Sequence, residues 1–322
     1  MSRRNNKRQP AVLDFSIRLP AGESYLDLAL CASILNRRGY KQQDTTWGVA
    51  GFELFGSGTG TVSVLKLPET WVFQNAYTKA KALWNEMNDQ VLDTQESIRG
   101  AYADFKVYME ANMGAQTIQD NGNQAGTILT PYFDDGAGGI KWTEGDFSAA
   151  GPPRTDWEWS QLTLPNDPTT GTTTSYYIHA VGADTTASKG IIAGYAASRS
   201  RPHTTDPNVP TINGWMNELF DDGDQLDDLK DIIEGDNNRP PYPVGSESTA
   251  TDFYPGGSLE QPGLQVHSFC NFTTTTVSGK NSIMGGMFQN GMMKFVNSTG
   301  ADVSVIMHLM PGSHRGYFCE EM

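Results

Sequence analysis

Cysteine is scarce in this chain, and long apolar runs are missing from it. The three cysteines among 322 residues, Cys31, Cys270 and Cys319, are too few and too scattered for a disulfide framework or a CxxC zinc site. No stretch of about 18 uninterrupted apolar residues occurs, so no membrane span is expected. The basic segment Met1–Pro10 precedes residues whose charges interrupt any signal-peptide apolar region. We therefore expect a soluble protein of a reducing compartment that does not follow the secretory route.

Positive charge is also in short supply. The chain has 23 lysines and arginines against 37 aspartates and glutamates, a formal net charge of -14. Four of the basic residues lie in the first ten positions, which leaves 19 basic residues against the same 37 acidic ones in the rest of the chain. A body this acidic is not expected to coat nucleic acid broadly.

Sequence motifs of catalysis are missing as well. The chain has no GxSxG, HExxH or P-loop motif and no GxGxxG that precedes a helix. The glycine-rich segment Gly56–Gly60 lies between two predicted strands, so no helix N-terminus stands behind it to bind an anion. No two histidines have HxxxH or HxH spacing, the histidines being His179, His203, His267, His308 and His314. We expect that the protein is not an enzyme and has no cofactor.

Turn residues, by contrast, are abundant. The 34 glycines and 17 prolines separate many short apolar segments. This pattern predicts strands at residues 12–19, 25–35, 47–55, 61–67, 105–110, 157–164, 175–181, 191–198, 265–277, 283–288, 292–296 and 303–310. The short connections at 56–60 and 297–300 predict two hairpins.

A single helix is predicted, from about Asn75 to Val91. Large apolar residues there follow the three-and-four spacing of one helical face: Phe73, Ala76, Tyr77, Ala80, Trp84, Met87 and Val91. This stripe is too large to leave in water, so we expect it to pack against the strands. Trp84→Ala should then cost about 3–5 kcal/mol if the side chain is fully buried.

The predicted elements define one fold class. Two long stretches, near 114–155 and 202–262, have few strand signals and are interpreted as surface excursions. About ten to twelve short strands with long corner loops favour an all-β fold: an antiparallel jelly-roll β-sandwich with long loops and one inserted amphipathic helix. The predicted organisation is a basic N-terminal arm at 1–10 followed by one domain at 11–322.

The second excursion carries a dense acidic segment, Glu218–Asp236, with nine carboxylates and one lysine. Oxygen ligands suit Ca²⁺, although the spacing is not that of an EF-hand loop. A solvated acidic face is the favoured interpretation, and a Ca²⁺ site is the alternative. The candidate ligands are Asp221, Asp222, Asp224, Asp227 and Asp228.

The N-terminal arm concentrates the positive charge of the chain. Arg3, Arg4, Lys7 and Arg8 are interleaved with Asn and Gln and have no apolar neighbours, a composition that predicts a flexible cationic segment. Such a segment binds phosphates, so these four residues are the candidates for nucleic-acid contact; a solubilising tail or a localisation signal is the alternative.

Three features together resemble a known family, the capsid proteins of small circular single-stranded DNA viruses and related tailless phages. They are the short basic arm, the strand series broken by large loops, and the segment Trp71–Met87 leading into Asp104–Tyr108. The resemblance implies a jelly-roll subunit that assembles inside the host cell into an icosahedral shell, encloses the genome and has no catalytic site. The four-residue basic content of the arm departs from the long arginine-rich arms of many members.

The leading hypothesis is therefore a non-enzymatic virion protein that associates with many copies of itself. Aromatic residues in loops often anchor interfaces, and Trp142, Trp157 and Trp215 are the candidates here. The main alternative is a receptor- or carbohydrate-binding β-sandwich such as a spike or a lectin-like module. A jelly-roll hydrolase is the third candidate, and it would need carboxylates or histidines that converge in a cleft.

Overall fold

The computed structural model describes residues 9–42, 44–93, 104–116, 118–119, 127–134, 140–141, 157–165, 173–198, 263–275 and 279–322. The protein is mostly β, with curled antiparallel sheets and a few helices. The strands are β1 Asp14–Leu19, β2 Gly22–Asp27, β3 Thr45–Phe55, β4 Gly60–Lys66, β5 Tyr108–Glu110, β6 Ile128–Leu129, β7 Phe133–Asp134, β8 Ile140–Lys141, β9 Gln161–Pro165, β10 Thr173–Val181, β11 Ser188–Gly190, β12 Gln265–Phe272, β13 Lys280–Gln289, β14 Met292–Asn297, β15 Val303–Leu309, β16 Pro311–Gly312, β17 Gly316–Tyr317 and β18 Cys319–Glu321. The helices are α1 Leu28–Asn36, α2 Trp71–Leu92, α3 Ala111–Gly114 and α4 Ile191–Ala197.

Two sheets contain the long strands. The first sheet has the order β1-β15-β3-β13, and β18 also pairs with β3. The second sheet has the order β12-β4-β14-β2-β6, in which β6 joins β2 in parallel and the other pairs are antiparallel. Strands that follow each other along the chain alternate between the two sheets, from β1 to β4 and again from β12 to β15.

This alternation corrects both predicted hairpins. Residues 56–59 connect β3 in the first sheet to β4 in the second, and residues 298–302 connect β14 in the second sheet to β15 in the first. The turn residues were identified correctly, but a short glycine-rich connection turns a chain between sheets as readily as within one. The two connections are therefore corners between sheets.

The inner faces of the two sheets share one apolar core. Alternate residues of β1 and β15 point into it, which gives the expected period of two. Its largest fully buried side chains include Phe52, Phe288 and Phe295. The Phe52 ring lies about edge-on to each of the other two rings, with ring centres 6.0 Å apart in both pairs.

The second sheet is buried on both faces. Leu26 and Met293 point to the core between the sheets, while their neighbours Tyr25 and Met292 belong to a second core on the opposite face. That second core is covered by α2, α4 and a third sheet, in which β10 pairs with β5, β9 and β11. In the described part of the molecule, the second sheet is therefore the middle layer. The first sheet covers one of its faces, and α2, α4 and the third sheet cover the other.

Helix α2 confirms the helix predicted from the apolar stripe. It begins at Trp71, where the Thr70 side chain accepts a hydrogen bond from the Phe73 amide. Phe73 and Tyr77 are fully buried, but Trp84 is only partly buried and contacts the Phe105 ring at 5.5 Å. The condition for the large Trp84→Ala effect is therefore not met, and the cost of that change is expected to be smaller.

Two predicted strands are helical instead. Residues 25–35 contain the end of β2 and then α1, which begins after Asp27. Residues 191–198 contain α4. Both segments are continuous apolar runs, and such a run does not distinguish a helix from a buried strand. The expectation of a single helix was wrong.

The stretch 114–155 is only partly described, and part of it is not at the surface. Ile128 and Leu129 are buried, and β6 pairs with β2 at the edge of the second sheet. The stretch 202–262 lies outside the described residues. Among the described residues, no helix combines the length and the apolar character needed to cross a membrane.

Candidate interaction surfaces

Most of the site residues suggested by the sequence fall outside the described part of the chain. These are the arm residues Arg3, Arg4, Lys7 and Arg8, the acidic residues Asp221, Asp222, Asp224, Asp227 and Asp228, and the tryptophans Trp142 and Trp215. Their suggested roles in nucleic-acid contact, Ca²⁺ binding and subunit contact remain predictions.

Trp157 is the one suggested interface residue that is described. It is partly buried and packs against both apolar cores, and the Lys106 ammonium lies 4.3 Å from the centre of its ring. Burial lowers the pKa of Lys106. The Trp157 indole nitrogen is buried without a hydrogen-bond partner among the described groups. The residue therefore contributes to internal packing, and a subunit contact through it remains a prediction.

The point where the arm joins the fold is well defined. The Val12 amide donates to the Asn36 side-chain oxygen at 3.1 Å, and the Tyr317 hydroxyl donates to the Val12 carbonyl at 2.8 Å. The Leu309 amide donates to the Leu13 carbonyl at 2.8 Å. The chain therefore enters β1 beside the C-terminal end of α1 and the short β16–β17 ladder, and the basic arm begins at this corner.

Two arginines from distant parts of the sequence lie at the same corner. The Arg38 guanidinium donates to the Gln9 side-chain oxygen at 2.5 Å, and the Arg315 guanidinium donates to the Gly39 carbonyl. Arg315 also lies over the ring of Tyr40, 6.0 Å from its centre. The adjacent pair Arg37-Arg38, which follows the predicted strand at 25–35, is a sequence signal for this cluster.

A closely packed cluster of aromatic rings lies beneath Arg315. Tyr40 is fully buried, and its ring packs against Trp47, His314 and Tyr317 with ring centres 5.4–6.4 Å apart. Its hydroxyl donates to the Arg315 carbonyl at 3.0 Å. Burial raises the pKa of the Tyr40 hydroxyl, whereas the charges of Arg38 and Arg315 act to lower it.

A second surface lies where the free edges of the two sheets meet. Among the described strands, β12 pairs with β4 alone and β13 pairs with β3 alone. Val266 and Phe269 on β12 and Met284 on β13 are 58%, 61% and 84% exposed, which is unusual for large apolar side chains. The His267 ring nitrogen lies 3.0 Å from the Met284 carbonyl, so the two edges adjoin. Exposed apolar side chains on unpaired edges are typical of contact surfaces.

A buried ion pair fastens the second sheet to the third. The Lys294 ammonium on β14 lies 2.6 Å from a carboxylate oxygen of Glu110 on β5, and both side chains are at most 4% exposed. The Tyr25 hydroxyl donates to the same carboxylate, and Glu23 lies 3.0 Å from the ammonium on the solvent side. Burial and the Glu110 charge both raise the pKa of Tyr25. The sequence indicated no role for Lys294, because an isolated lysine in a strand is usually solvated.

The Asp27 carboxylate is a second buried charge, at the start of α1. It accepts hydrogen bonds from the Ala29 and Leu30 amides at 2.9 and 3.3 Å and from the Gln42 amide at 3.2 Å. Burial raises its pKa to about 6 in spite of these bonds and of the Lys106 charge, which lower it. The carboxylate is therefore less stable as an anion in the folded protein than in the unfolded chain.

Asp27 should therefore lower the free energy of unfolding as the pH rises from about 4 to about 6. The pKa of its carboxyl is about 6 in the folded protein and 3.8 ordinarily, so the folded protein holds this proton more tightly than the unfolded chain. The stabilisation is complete below about pH 4, and about 3 kcal/mol of it is lost once the pH has passed 6. Asp27→Asn, which keeps a good N-cap, should gain that much relative to the parent protein between pH 4 and pH 7. Urea unfolding of both proteins across this range measures the difference, and parallel profiles would contradict it.

The described histidines have ordinary structural surroundings. His308 in β15 lies 2.6 Å from an Asp14 carboxylate oxygen across the β1–β15 pair. His179 is buried near the Ala183 carbonyl, and burial lowers its pKa. Among the described residues, no three His, Cys, Asp or Glu side chains converge in a way that could hold a metal ion.

A cavity of about 170 Å³ lies between α2 and α4 and is lined mainly by apolar groups such as Ala80, Leu83 and Ile191. Lys79 and Lys189 line it as well, and Lys79 donates to the Ser198 hydroxyl at 2.6 Å. This lining provides apolar volume and cationic groups rather than a pair of carboxylates for acid–base chemistry.

Comparison with known proteins gives no family assignment. No protein-family model matches the sequence, no curated protein matches it, and no solved structure matches the fold.

Proposed function

We propose that this chain is a viral capsid protein: a jelly-roll subunit that assembles in many copies into an icosahedral shell around a genome, with single-stranded DNA as the genome class. The observation that carries the proposal is the strand order of the two large sheets. β1 to β4 and β12 to β15 are eight strands that alternate between sheets in the orders β1-β15-β3-β13 and β12-β4-β14-β2. An eight-stranded double sheet built from two Greek keys is the jelly roll, which occurs in viral capsid and lectin domains.

The position of the arm supports the same function. The basic segment joins the fold next to a corner that carries further arginines, whereas the rest of the chain is strongly acidic. A subunit that presents its cations at one corner can bind a polyanion on one side of a shell and stay free of it on the other.

The adjoining free edges of β12 and β13 support self-association. β12 and β13 present backbone and large apolar side chains at the same edge, and a second copy of the subunit offers matching chemistry. In the proposed shell this edge is a subunit contact. The acidic segment Glu218–Asp236 and the tryptophans Trp142 and Trp215 are further candidates for contacts between subunits.

Electron microscopy and size-exclusion chromatography of the purified protein test the proposal. Particles of uniform diameter are the expected result. A monomer or a small closed oligomer that binds glycans would instead favour a receptor- or carbohydrate-binding module, which can use the same fold.

Phe269→Glu is expected to abolish particle formation while the subunit stays folded. The substitution places a charge on an exposed apolar edge, where desolvation in a contact is costly but exposure to water is not. Particle yield by electron microscopy and melting temperature of the subunit are the two measurements. Leu83→Glu is the matched control, because Leu83 is a 52% exposed apolar residue on α2 and lies outside the proposed contact. Normal particles from the Phe269 variant would remove this edge from the assembly surface.

A further inference from the structure

We infer that Arg38 and Arg315 form a fixed phosphate-binding site on the body of the protein, beside Gln9, and that its ligand is the backbone of single-stranded nucleic acid. The inference deepens the proposed function, and it rests on it for the choice of nucleic acid. The site extends the candidate phosphate contacts from the arm residues Arg3, Arg4, Lys7 and Arg8 to a folded surface.

The first argument is geometric. Arg38 belongs to the turn after α1 and Arg315 to the turn between β16 and β17, 277 positions apart in the sequence, yet the Arg315 guanidinium lies over the Tyr40 ring and donates to the carbonyl of Gly39, the residue after Arg38. Arg38 also donates to Gln9, which belongs to the C-terminal part of the arm and is the first residue that the structure describes. The two arginines therefore lie where the arm meets the folded body.

The second argument concerns the anchoring of the two side chains. Each guanidinium already uses a donor on a neutral oxygen, of Gln9 or of Gly39, rather than on a carboxylate. A guanidinium has five N–H donors, so others stay available to an incoming phosphate. Its planar fork matches phosphate oxygens in pairs, which suits it to this ligand better than an ammonium. Both residues are exposed, and Arg315 lies over the ring of the buried Tyr40.

The third argument comes from the backbone. Arg315 has a φ of 50°, in the left-handed region that favours glycine or asparagine, and Arg37 at the end of α1 has the same value. Among the described residues, these two arginines account for half of the four non-glycine positions with positive φ.

The local charge is the fourth argument. Asn36–Lys41 contains three basic residues and no acidic one, in a body where acidic residues outnumber basic ones by 37 to 19. Lys41 pairs with Asp104 at 2.8 Å and is not part of the site. The segment Asn36–Lys41 is thus a local run of cations in an acidic chain, although Asp44, Glu320 and Glu321 line a cavity beside Ser313 and His314.

The test compares the full-length protein with the double variant Arg38→Gln/Arg315→Asn. Asparagine suits the left-handed backbone at 315, so the fold should be retained, as the melting temperature will show. Affinity for an oligothymidylate of about 25 nucleotides is measured by fluorescence anisotropy between about 0.05 and 0.3 M salt. The slope of log affinity against log salt should fall by about 1 to 1.5, because each lost phosphate contact on a single strand removes about 0.7.

The matched control is Lys189→Gln/Lys280→Gln, which changes the net charge equally at two residues paired with Asp184 and Glu53. Its slope should equal that of the parent protein. An Arg38/Arg315 slope equal to the control slope would overturn the site, as would a parent protein that does not bind the oligonucleotide. Binding to phosphatidylserine vesicles but not to the oligonucleotide would overturn it in favour of a lipid surface.

The outcomes for the site and for the capsid are separable. Uniform particles together with an unchanged slope would refute the site and leave the capsid proposal standing. A reduced slope in a protein that forms no particles would refute the capsid and leave a nucleic-acid-binding corner.

Discussion

Lys294→Met is expected to lower the free energy of unfolding by about 3–5 kcal/mol. The substitution leaves the Glu110 carboxylate buried, with the Tyr25 hydroxyl as its remaining close partner. A buried anion without a cation is costly because the surrounding protein solvates it poorly. The loss should also loosen the third sheet from the second, since Lys294 and Glu110 lie on β14 and β5. Urea unfolding followed by circular dichroism measures the change.

The double variant Lys294→Met/Glu110→Gln should regain most of that loss. It replaces the ion pair with a neutral pair of similar volume, and the glutamine oxygen can still accept from the Tyr25 hydroxyl. Recovery in the double variant separates an uncompensated charge from a simple packing defect. A loss below about 1 kcal/mol in the single variant would indicate a pair screened by water, as on a surface, and would contradict the buried geometry.

Phe73→Ala should lower the free energy of unfolding by about 3–5 kcal/mol. Phe73 is fully buried in the second core, and its ring centre lies 6.0 Å from that of Tyr77. Truncation removes the apolar contact and leaves a cavity between α2 and the second sheet. Thermal and urea unfolding measure the loss.

Leu83→Ala on the same helix is the control, because Leu83 is 52% exposed and a surface change of this kind usually stays within about 0.5 kcal/mol. Equal effects at both positions would mean that α2 does not dock through its N-terminal half.

The apolar stripe predicted α2 correctly because the helix is amphipathic. It did not predict how deeply each residue is buried: Phe73 and Tyr77 are fully buried, whereas Trp84 and Met87 on the same stripe are only partly buried. Trp84 shows the difference: it is on the right face, but it is only partly buried. Depth depends on what the rest of the chain places against the helix, which periodicity does not contain.

Helix α1 was missed although its cap is visible in the sequence. Asp27 precedes the run Leu28–Asn36, and its side chain accepts from two amides of the first turn. The apolar residues that follow showed no three-and-four spacing because the helix is enclosed between the two cores. A cap signal followed by a uniformly apolar run should therefore be weighed toward a buried helix.

Connections between sheets were the least predictable feature. Asn290 and Gly291 have φ values of 54° and 69°, the conformation of a two-residue hairpin turn, yet β13 and β14 lie in different sheets. The same turn residues reverse the chain whether the next strand joins the same sheet or the other sheet. The choice of sheet is made by partners hundreds of positions away, such as His308 for Asp14.

The sequence could not predict the proximity of Arg38 and Arg315 for the same reason. Arg38 was visible in a basic run, but Arg315 stood alone in a turn, and only the fold brings the two to one aromatic base. The edge patch had no sequence signal either, because Phe269 and Met284 look like ordinary strand residues.

The alternation of strands also has a consequence for the order of events during synthesis. Among the described strands, no pairing in the two large sheets joins consecutive strands, and β1 pairs with β15 at Val303–Leu309. β1 therefore cannot meet its partner until β15 has been synthesised. High contact order of this kind slows folding and prolongs the exposure of unpaired strands. Completion of the first sheet is thus a late step of folding, and β1 is the strand expected to depend longest on chaperones.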